Sequence, residues 1–162
     1  MHEVYLEVGG NQGDRLELII EVKKQIAKYI GEIVNQSSIY ETPPWGFESE
    51  LNFYNQIILV ESNLEVSELL ASIHKIELSL GRIRGTEQYI SRTMDIDILF
   101  YGIEVIDQLN IQVPHPRIQD RKFVLIPLAE LNDLFVHPKL NKTINQLLLE
   151  CTDTSKCLKL NI

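Results

Sequence analysis

The chain opens with alternating apolar and polar side chains. Over residues 3–8 the apolar side chains share one face of an extended segment, with Glu7 on the opposite, polar face, so we predict a half-buried β-strand. A glycine-rich turn follows, and Asp14 then stands at the position of a helix N-cap. Apolar residues recur at helical spacing over 16–30, which predicts a first helix that Gly31 ends.

The rest of the chain continues to alternate short strands with amphipathic helices. Gly81 is placed to end the second helix, and Pro127 interrupts the third. The further predicted elements are strands over 33–41, 53–61 and 94–101, a hairpin from Gly102 to Ile106, and helices over 66–80, 120–131 and 143–150. The β-α-β-β-α-β order of the first hundred residues predicts an α+β fold of the ferredoxin-like kind, in which helices pack on the faces of an antiparallel sheet.

Length and hydropathy narrow the class of protein. The 162 residues suit one domain, so we expect residues 1–162 to form a single unit. No apolar run reaches the roughly 18–20 residues of a membrane span, and the first residues lack the pattern of a signal peptide. Cys151 and Cys157 are the only cysteines, and we expect reduced thiols. These features predict a cytoplasmic protein with no membrane partner, and we expect a monomer.

Charge is distributed unevenly along the chain. The formal net charge of −8 argues against a nucleic-acid partner, because nucleic-acid binders usually carry a basic face. The first 80 residues contain 13 acidic and 5 basic side chains, so the whole acidic surplus lies there. Five of the six arginines fall between Arg82 and Arg121. An acidic protein that collects its arginines in one stretch needs fixed positive charge there, as phosphate binding does.

Asp95 and Asp97 give the sharpest local signal of chemistry. Side chains two apart on a strand share a face and lie about 6–7 Å apart, while Met94, Ile96 and Ile98 point the other way. Two carboxylates on one face of an apolar strand are costly unless positive charge compensates them. We therefore predict a divalent metal, with Mg²⁺ carried by substrate phosphates as the natural candidate. The alternative is a polar strand face exposed to solvent.

Two further polar residues interrupt the pattern, and arginines surround a loop. Glu77 falls within the apolar stripe of the second helix, so it either lies at the exposed end of that stripe or has a polar partner. His115 stands between two prolines and could serve a ligand or be structural. Arg82 and Arg92 flank a loop that contains Gly85, which is typical of a segment that closes over phosphate.

Aromatic and proline residues concentrate around another loop. A flat heteroaromatic ligand could stack on such a surface, with Asn55 offering both a donor and an acceptor. Ordinary core packing is the alternative for some of these side chains. The set consists of Pro43, Pro44, Trp45, Phe47, Phe53 and Tyr54.

Six short motifs follow one another along most of the chain. The strongest is the segment 92–99, R-T-M-D-I-D-I-L, which matches the pattern R-x-x-D-x-D-[ILM]-[ILM]. The others are S-x-Y-x-T-P-P from Ser38, F-Y-N from Phe53, I-E-x-x-x-G-R from Ile76, V-P-H-P from Val113 and R-x-F from Arg121. Together the motifs resemble those of the 6-hydroxymethyl-7,8-dihydropterin pyrophosphokinase family.

This resemblance implies an ATP-dependent diphosphokinase of folate biosynthesis. Such an enzyme transfers the β,γ-diphosphate of ATP to the hydroxymethyl oxygen of the pterin and releases AMP. It implies that Asp95 and Asp97 hold two Mg²⁺ ions and act in catalysis with Arg82 and Arg92, which clamp the triphosphate from loops. The implied ATP-binding residues are Glu77, Arg82, Arg92, Ile98, His115 and Arg121. The implied pterin-binding residues are Thr42, Pro43, Pro44, Trp45, Phe53, Asn55 and Phe123.

Two other hypotheses remain open on the sequence. The first is a different nucleotide-dependent transferase on the same fold, which would use the two aspartates with another acceptor. The second is a non-catalytic, ferredoxin-like module that binds a ligand or a partner. This second hypothesis gives Asp95, Asp97 and the arginines no role.

Overall fold

A computed structural model describes residues 1–81 and 94–162 of the chain. Four α-helices and eight strands are formed within these residues. The helices are α1 (Arg15–Tyr29), α2 (Val66–Ser79), α3 (Lys122–Asn132) and α4 (Ile144–Glu150). The strands are β1 (His2–Gly10), β2 (Gly31–Gln36), β3 (Tyr40–Thr42), β4 (Phe53–Ser62), β5 (Asp95–Tyr101), β6 (Ile106–Gln108), β7 (Ile111–Val113) and β8 (Leu158–Lys159).

The main sheet is antiparallel, with β4 at its centre and β1 beside it. Strand β1 pairs with β5 on one side and with β4 on the other, and β4 pairs with β2 along one half and β3 along the other. The strand β8 extends the sheet beyond β3. The β-α-β-β-α-β order, the antiparallel pairing and the helices on both faces confirm the predicted ferredoxin-like α+β fold.

Two strand predictions need correction. The segment predicted as one strand over 33–41 is divided into β2 and β3, because the chain leaves the ladder between Gln36 and Tyr40. The hairpin predicted over residues 102–106 is wrong, because the strands that pair lie farther along the chain. Strand β6 pairs with β7 in a separate two-stranded sheet. Gly102 lies in a turn, and its own backbone N–H donates to the carbonyl of Glu3 at 2.7 Å.

The helix signals were correct at two of the three ends they specified. The Asp14 carboxylate accepts a hydrogen bond from the backbone N–H of Glu17 at 3.0 Å, so it caps α1 as predicted. Gly81 follows α2 with φ +87°, in the conformation that favours glycine. Gly31 has a different role from the one predicted: it opens β2, and a Cβ there would collide with the backbone carbonyl of Glu61. Pro127 lies within α3, which continues through it.

The sheet has a hydrophobic core on each face. Helices α1 and α2 cover the face that carries Val4, Leu6 and Val8, and α3 and α4 cover the face that carries Tyr5. The prediction that β1 is half-buried is therefore wrong, since Glu7 is only 4% exposed. Among the described residues, no helix is long and apolar enough to span a membrane.

Glu130 connects helix α3 to the edge of the main sheet, where β3 and β8 lie. Its carboxylate accepts hydrogen bonds from the backbone and hydroxyl of Ser38 at 3.1 and 2.8 Å and from the Tyr40 hydroxyl at 2.7 Å. The Lys159 ammonium, on β8, donates to the same carboxylate at 3.4 Å. Because β3 ends at Thr42, these contacts also hold the chain that enters the loop after β3.

We expect Glu130→Gln to lower the free energy of unfolding by about 1–3 kcal/mol near pH 7, because it weakens several charge-assisted hydrogen bonds. Burial by itself would raise the pKa of Glu130, but the hydrogen bonds from Tyr40 and Ser38 outweigh it and hold that pKa below its usual value. A depressed pKa in the folded state stabilises the protein above the unfolded-state pKa, and this stabilisation is lost as the pH falls through the folded-state pKa. Urea unfolding at about pH 7 and about pH 3 should therefore show a wild-type advantage that shrinks in acid.

The exposed pair between Lys142 and Glu150 provides a control for that experiment. Its two charged groups are 2.6 Å apart, and roughly half of each side chain is exposed. Glu150→Gln should change the free energy of unfolding by no more than about 0.5 kcal/mol. A Glu130→Gln effect as small as this, or one that stays constant between the two pH values, would contradict the role given to Glu130.

Candidate active site

One end of the main sheet brings together polar side chains from three neighbouring strands. In the antiparallel register Glu7 of β1 lies opposite Asp97 of β5, and Gly9 lies opposite Asp95. On its other side Gly9 lies opposite Asn55 of β4. These residues share the face that α3 and α4 cover farther along the sheet. The start of β5 and the end of β1 therefore form the floor of a cavity.

This main cavity has a volume of about 230 Å³. Its wall combines acidic and basic groups on one side with aromatic and amide groups on the other. The lining residues are Glu7, Gly9, Thr42, Pro43, Trp45, Phe47, Phe53, Asn55, Asp95, Asp97, His115, Arg121 and Phe123.

The two aspartates of β5 point into this cavity, as the two-residue period predicts. Met94, Ile96 and Ile98 are buried in the core on the opposite side of the strand. Two nitrogen-bearing side chains lie near Asp97: its Oδ2 is 3.9 Å from Nε2 of His115 and 3.9 Å from a terminal nitrogen of Arg121. This face is only partly exposed and lines the cavity, and its binding of a metal stays a prediction.

Glu77 of α2 supports the same strand from the other side. It is 1% exposed, and its Oε1 accepts a hydrogen bond from the backbone N–H of Ile96 at 2.9 Å. Of the two possibilities left open by the sequence, a polar partner is correct and an exposed end is wrong. Since Ile96 lies between Asp95 and Asp97, this hydrogen bond fixes the backbone that carries both carboxylates.

His115 is fixed by backbone contacts on both of its sides. Its backbone N–H donates to the carbonyl of Leu99 at 3.0 Å, and its Nδ1 accepts from the backbone N–H of Arg117 at 3.1 Å. Burial is the main influence on this side chain and lowers the pKa of His115, with Asp97 opposing that shift and Arg121 adding to it. The neutral imidazole therefore carries its proton on Nε2, the atom nearer to Asp97.

Arg121 connects the charged side of the cavity to its aromatic side. Its guanidinium lies 4.8 Å from the ring centre of Trp45 and 5.7 Å from that of Phe123, in addition to its contact with Asp97. Its Nε is buried and has no hydrogen-bond partner among the described residues. Such a planar cation can stack on rings and still donate to an anionic ligand.

The aromatic side is organised around Asn55. The Asn55 Nδ2 donates to the Thr42 hydroxyl oxygen at 2.6 Å, and both residues are buried. Phe47 and Phe53 meet edge to face with ring centres 5.9 Å apart. An amide beside several rings suits a flat ligand that has hydrogen-bonding groups on its edge.

The loop between β3 and β4 is attached to the start of α1. The Asn11 side-chain amide donates to the carbonyl of Leu51 at 3.1 Å, and Arg15 donates to the carbonyl of Asn52 at 2.8 Å. The Arg15 guanidinium also lies 3.9 Å from the ring centre of Tyr54. The turn after β1 and the start of α1 therefore hold the loop between β3 and β4 in place.

A second cavity, of about 220 Å³, adjoins the main one. The two cavities share Asp95, Asp97 and His115. The other residues that line the second cavity come from α2, β5 and the β6–β7 hairpin. They are Leu70, His74, Glu77, Ile96, Ile98, Asn110, Ile111, Gln112 and Val113.

Most of the residues predicted from the sequence lie around these two cavities. Glu77 and Ile98 line the second, while Pro44 lines neither. Arg82 and Arg92 lie outside the described residues. The roles assigned to all of these residues stay predictions.

The sequence interpretation missed several lining residues. Glu7, Gly9 and His74 were not predicted as site residues, and Phe47 was noted only for its position among the aromatic residues. The two-residue period of β1 places Glu7 on the same face as Gly9, and the register with β5 brings both to the aspartates. The period was visible in the sequence, but the register was not.

The donor set fits a hard divalent cation that is only partly bound by protein. Asp95 and Asp97 offer carboxylate oxygens on one strand face. Among the described residues, no group of three or more His, Cys, Asp or Glu side chains is arranged to hold a metal. Mg²⁺ characteristically takes one or two carboxylates and completes its shell with water and substrate phosphates, so these residues fit that ion.

Comparisons with known proteins identify relatives of this chain. The family model for 7,8-dihydro-6-hydroxymethylpterin-pyrophosphokinase (HPPK) matches residues 5–133. The 2-amino-4-hydroxy-6-hydroxymethyldihydropteridine pyrophosphokinase of Aquifex aeolicus is 35% identical over 162 residues, which is 100% of both chains. The protein of the same name from Porphyromonas gingivalis is 34% identical over 139 residues, which is 84% of this chain and 94% of that one.

Longer proteins also contain a similar region. The folic acid synthesis protein fol1 of Pneumocystis carinii is 35% identical over 83% of this chain, which spans only 18% of that protein. The crystal structure of Plasmodium falciparum HPPK-DHPS wild type has the same fold, with a TM-score of 0.75 at 18% identity, over 92% of this chain and 44% of that one. From the family-model match and the full-length similarity to the A. aeolicus protein, we conclude that this chain belongs to the 7,8-dihydro-6-hydroxymethylpterin-pyrophosphokinase family.

Proposed function

We propose that this chain transfers diphosphate from ATP to the hydroxymethyl group of 6-hydroxymethyl-7,8-dihydropterin and releases AMP. As a member of the pyrophosphokinase family it is a transferase of folate biosynthesis. The observation that carries the proposed reaction is the position of Asp95 and Asp97, which line both cavities. A ring bound in the main cavity and a nucleotide bound in the second would meet at these carboxylates.

The main cavity suits the pterin. Phe53, Phe123 and Trp45 offer ring faces for stacking, and Asn55 offers an amide whose orientation the Thr42 hydroxyl supports. The pterin is a flat ring with hydrogen-bond donors and acceptors on its edge, so it matches both parts of this wall. Pro43 lines the same region.

The second cavity suits the nucleotide. Ile98 and other apolar residues provide contacts for a base, and Glu77 and His115 lie toward the aspartates. The cationic Arg121 reaches the same place from the main cavity. Arg82 and Arg92 belong to two of the motifs that resemble the family's. They would add further positive charge around the triphosphate.

Asp95 and Asp97 would hold Mg²⁺, with phosphate oxygens as the remaining ligands. When bound, this ion supplies charge neutralisation and orientation of the phosphates. The protein groups contribute by fixing the two carboxylates, chiefly through the hydrogen bond between Glu77 and the backbone of Ile96. This arrangement supports a cofactor requirement for Mg²⁺.

The transfer requires one bond to form and one to break. The hydroxymethyl oxygen of the pterin attacks the β-phosphorus of ATP, and the bond between that phosphorus and the oxygen bridging to the α-phosphate breaks. AMP leaves with the bonding electrons, and the hydroxyl proton passes to water. Positioning and charge compensation dominate such reactions. Arg121 and His115, both near Asp97, are placed to donate hydrogen bonds to the transferring phosphates.

The acceptor is tested by comparing ATP consumption across a panel. The protein is incubated with ATP and Mg²⁺ and, in turn, the hydroxymethyl dihydropterin, a purine nucleoside and a hydroxyethyl thiazole. The proposal predicts consumption with the pterin and no rate above background with the other two. Consumption with another acceptor alone would favour a different transferase, and calorimetry that detects no Mg²⁺-dependent ATP binding would favour a non-catalytic module.

A further inference from the structure

The last segment of the chain, residues 151–162, contacts both segments that carry the aromatic side of the main cavity. We call this segment the tail. It lies beyond residue 133, where the match to the family model ends, and beyond the last of the six sequence motifs. Its strand β8 pairs with β3, and the Leu160 backbone N–H donates to the carbonyl of Ile39 at 2.9 Å. The tail is therefore attached to the edge of the main sheet, next to the strand that leads to Thr42.

Asp153 connects the tail to the start of helix α3. Its Oδ2 accepts a hydrogen bond from the backbone N–H of Lys122 at 3.0 Å, across 31 residues of sequence. The backbone N–H groups in the first turn of a helix have no acceptor within the helix and need one from elsewhere. Arg121 is the N-cap residue of α3, and an arginine side chain has no acceptor atom. Asp153 therefore supplies, from the tail, a capping bond that the N-cap side chain cannot make.

The Asp153 carboxylate is itself held in one orientation. Its Oδ1 accepts hydrogen bonds from the backbone N–H of Ser155 at 2.9 Å and from the Ser155 hydroxyl at 2.6 Å. Burial by itself would raise the pKa of Asp153, but the hydrogen bonds from Ser155 and Lys122 outweigh it and hold that pKa below its usual value. The group is therefore ionised at neutral pH, and a negative charge is favourable at the N-terminus of a helix.

The start of α3 carries two residues of the cavity wall. Arg121 and Phe123 stand on either side of Lys122 in the sequence, and both line the main cavity. The Arg121 guanidinium lies 4.8 Å from the ring centre of Trp45, and one of its terminal nitrogens lies 3.9 Å from Asp97. A shift of the backbone at Lys122 would therefore displace both a cation and a ring that face the cavity.

We propose that Asp153 is a positioning residue, which places Arg121 and Phe123 in the main cavity by holding the backbone of Lys122. This inference rests on the proposed function, since the affected ligand is the pterin proposed for that cavity. Asp153 lines neither cavity, so its effect on the ligand passes through the start of α3. Loss of its carboxylate should therefore weaken ligand binding, whereas loss of a similar cap on another helix should not.

The test compares Asp153→Ala with Thr143→Ala. The Thr143 hydroxyl caps α4 by accepting from the backbone N–H of Gln146 at 3.1 Å, and α4 carries no residue that lines either of the two cavities. Both variants should lower the midpoint of urea unfolding, because each loses a capping hydrogen bond. Only Asp153→Ala should weaken the binding of 6-hydroxymethylpterin, by about 3- to 10-fold in calorimetry. Asp153→Asn keeps one acceptor oxygen and should bind with intermediate affinity, and it carries the test if Asp153→Ala does not fold.

Trp45 provides a second measurement that needs no ligand. It is the only tryptophan of the chain, and the Arg121 guanidinium lies over its ring. In the folded, unliganded protein, Asp153→Ala should change the quenching of Trp45 fluorescence by acrylamide, because the position of Arg121 changes. Thr143→Ala should give the same quenching as wild type.

Wild-type affinity for the pterin in Asp153→Ala would overturn the proposal. Equal losses of affinity in Asp153→Ala and Thr143→Ala would also overturn it, because they would show a general effect of lower stability. Wild type that binds no pterin would contradict the proposed function alone. In that case the quenching of Trp45 would still decide whether Asp153 positions Arg121.

Discussion

Asp97→Asn is expected to reduce kcat/KM by about 10³-fold or more while the protein remains folded. The substitution keeps the shape of the side chain but removes the negative charge that would bind Mg²⁺ and face Arg121. Asp95→Asn should behave in the same way, because both carboxylates lie on one face of β5 between the two cavities. Steady-state kinetics with saturating ATP and pterin measure the loss, and thermal unfolding shows that the fold is retained.

Asp133→Asn is the control, because it removes one negative charge at an exposed position at the end of α3. It should retain wild-type activity. The two site variants should also need more Mg²⁺ to reach their residual rates. Near-normal turnover by both Asp97→Asn and Asp95→Asn would remove the pair from the metal site and would return the face of β5 to a structural role.

Arg121→Met is expected to reduce kcat/KM by about 10²-fold. The side chain contacts Asp97 on one side and the rings of Trp45 and Phe123 on the other, so its loss affects the phosphate end and the aromatic wall together. Hydrogen bonds from a cation to phosphate contribute about 1.5–3 kcal/mol each, and a tenfold change in rate corresponds to about 1.4 kcal/mol. Separate KM values for ATP and the pterin show how the loss divides between the two substrates.

Arg121→Lys distinguishes charge from shape. A lysine keeps the positive charge but lacks the planar group that stacks on Trp45 and donates in two directions, so it should restore only part of the activity. Lys122→Gln removes the neighbouring cation, which lines neither cavity, and should leave kinetics unchanged. Full activity in Arg121→Lys would show that stacking by the guanidinium is unimportant, and full activity in Arg121→Met would exclude Arg121 from catalysis and substrate binding.

Local sequence patterns predicted the parts of this molecule that depend on nearby residues. The two-residue period of a strand put Asp95 and Asp97 on one face, and the Asp14 cap followed from the preferences of helix ends. The β-α-β-β-α-β order predicted the ferredoxin-like α+β fold. These features are determined within a few residues or by the order of elements, so the sequence pattern was sufficient for them.

The features that depend on distant parts of the chain were missed or left open. Glu7 alternates with apolar neighbours as a solvent-facing residue would, and its burial is visible only in the folded structure. The partner of Glu77 is a backbone N–H of Ile96, which contributes no side-chain signal. Gly31 was predicted to end the first helix. The close approach of the β4 backbone, which leaves no room for a side chain there, is a contact between strands that the local sequence does not show.

Diphosphate transfer is tested by identifying which bond of ATP breaks. The protein is supplied with Mg²⁺, 6-hydroxymethyl-7,8-dihydropterin and ATP labelled at the β-phosphate, and the nucleotide product and the labelled species are separated. We expect AMP as the nucleotide product, with the β label transferred to the pterin in a one-to-one ratio. Release of ADP that retains the label would contradict diphosphate transfer at the site formed by Asp95 and Asp97.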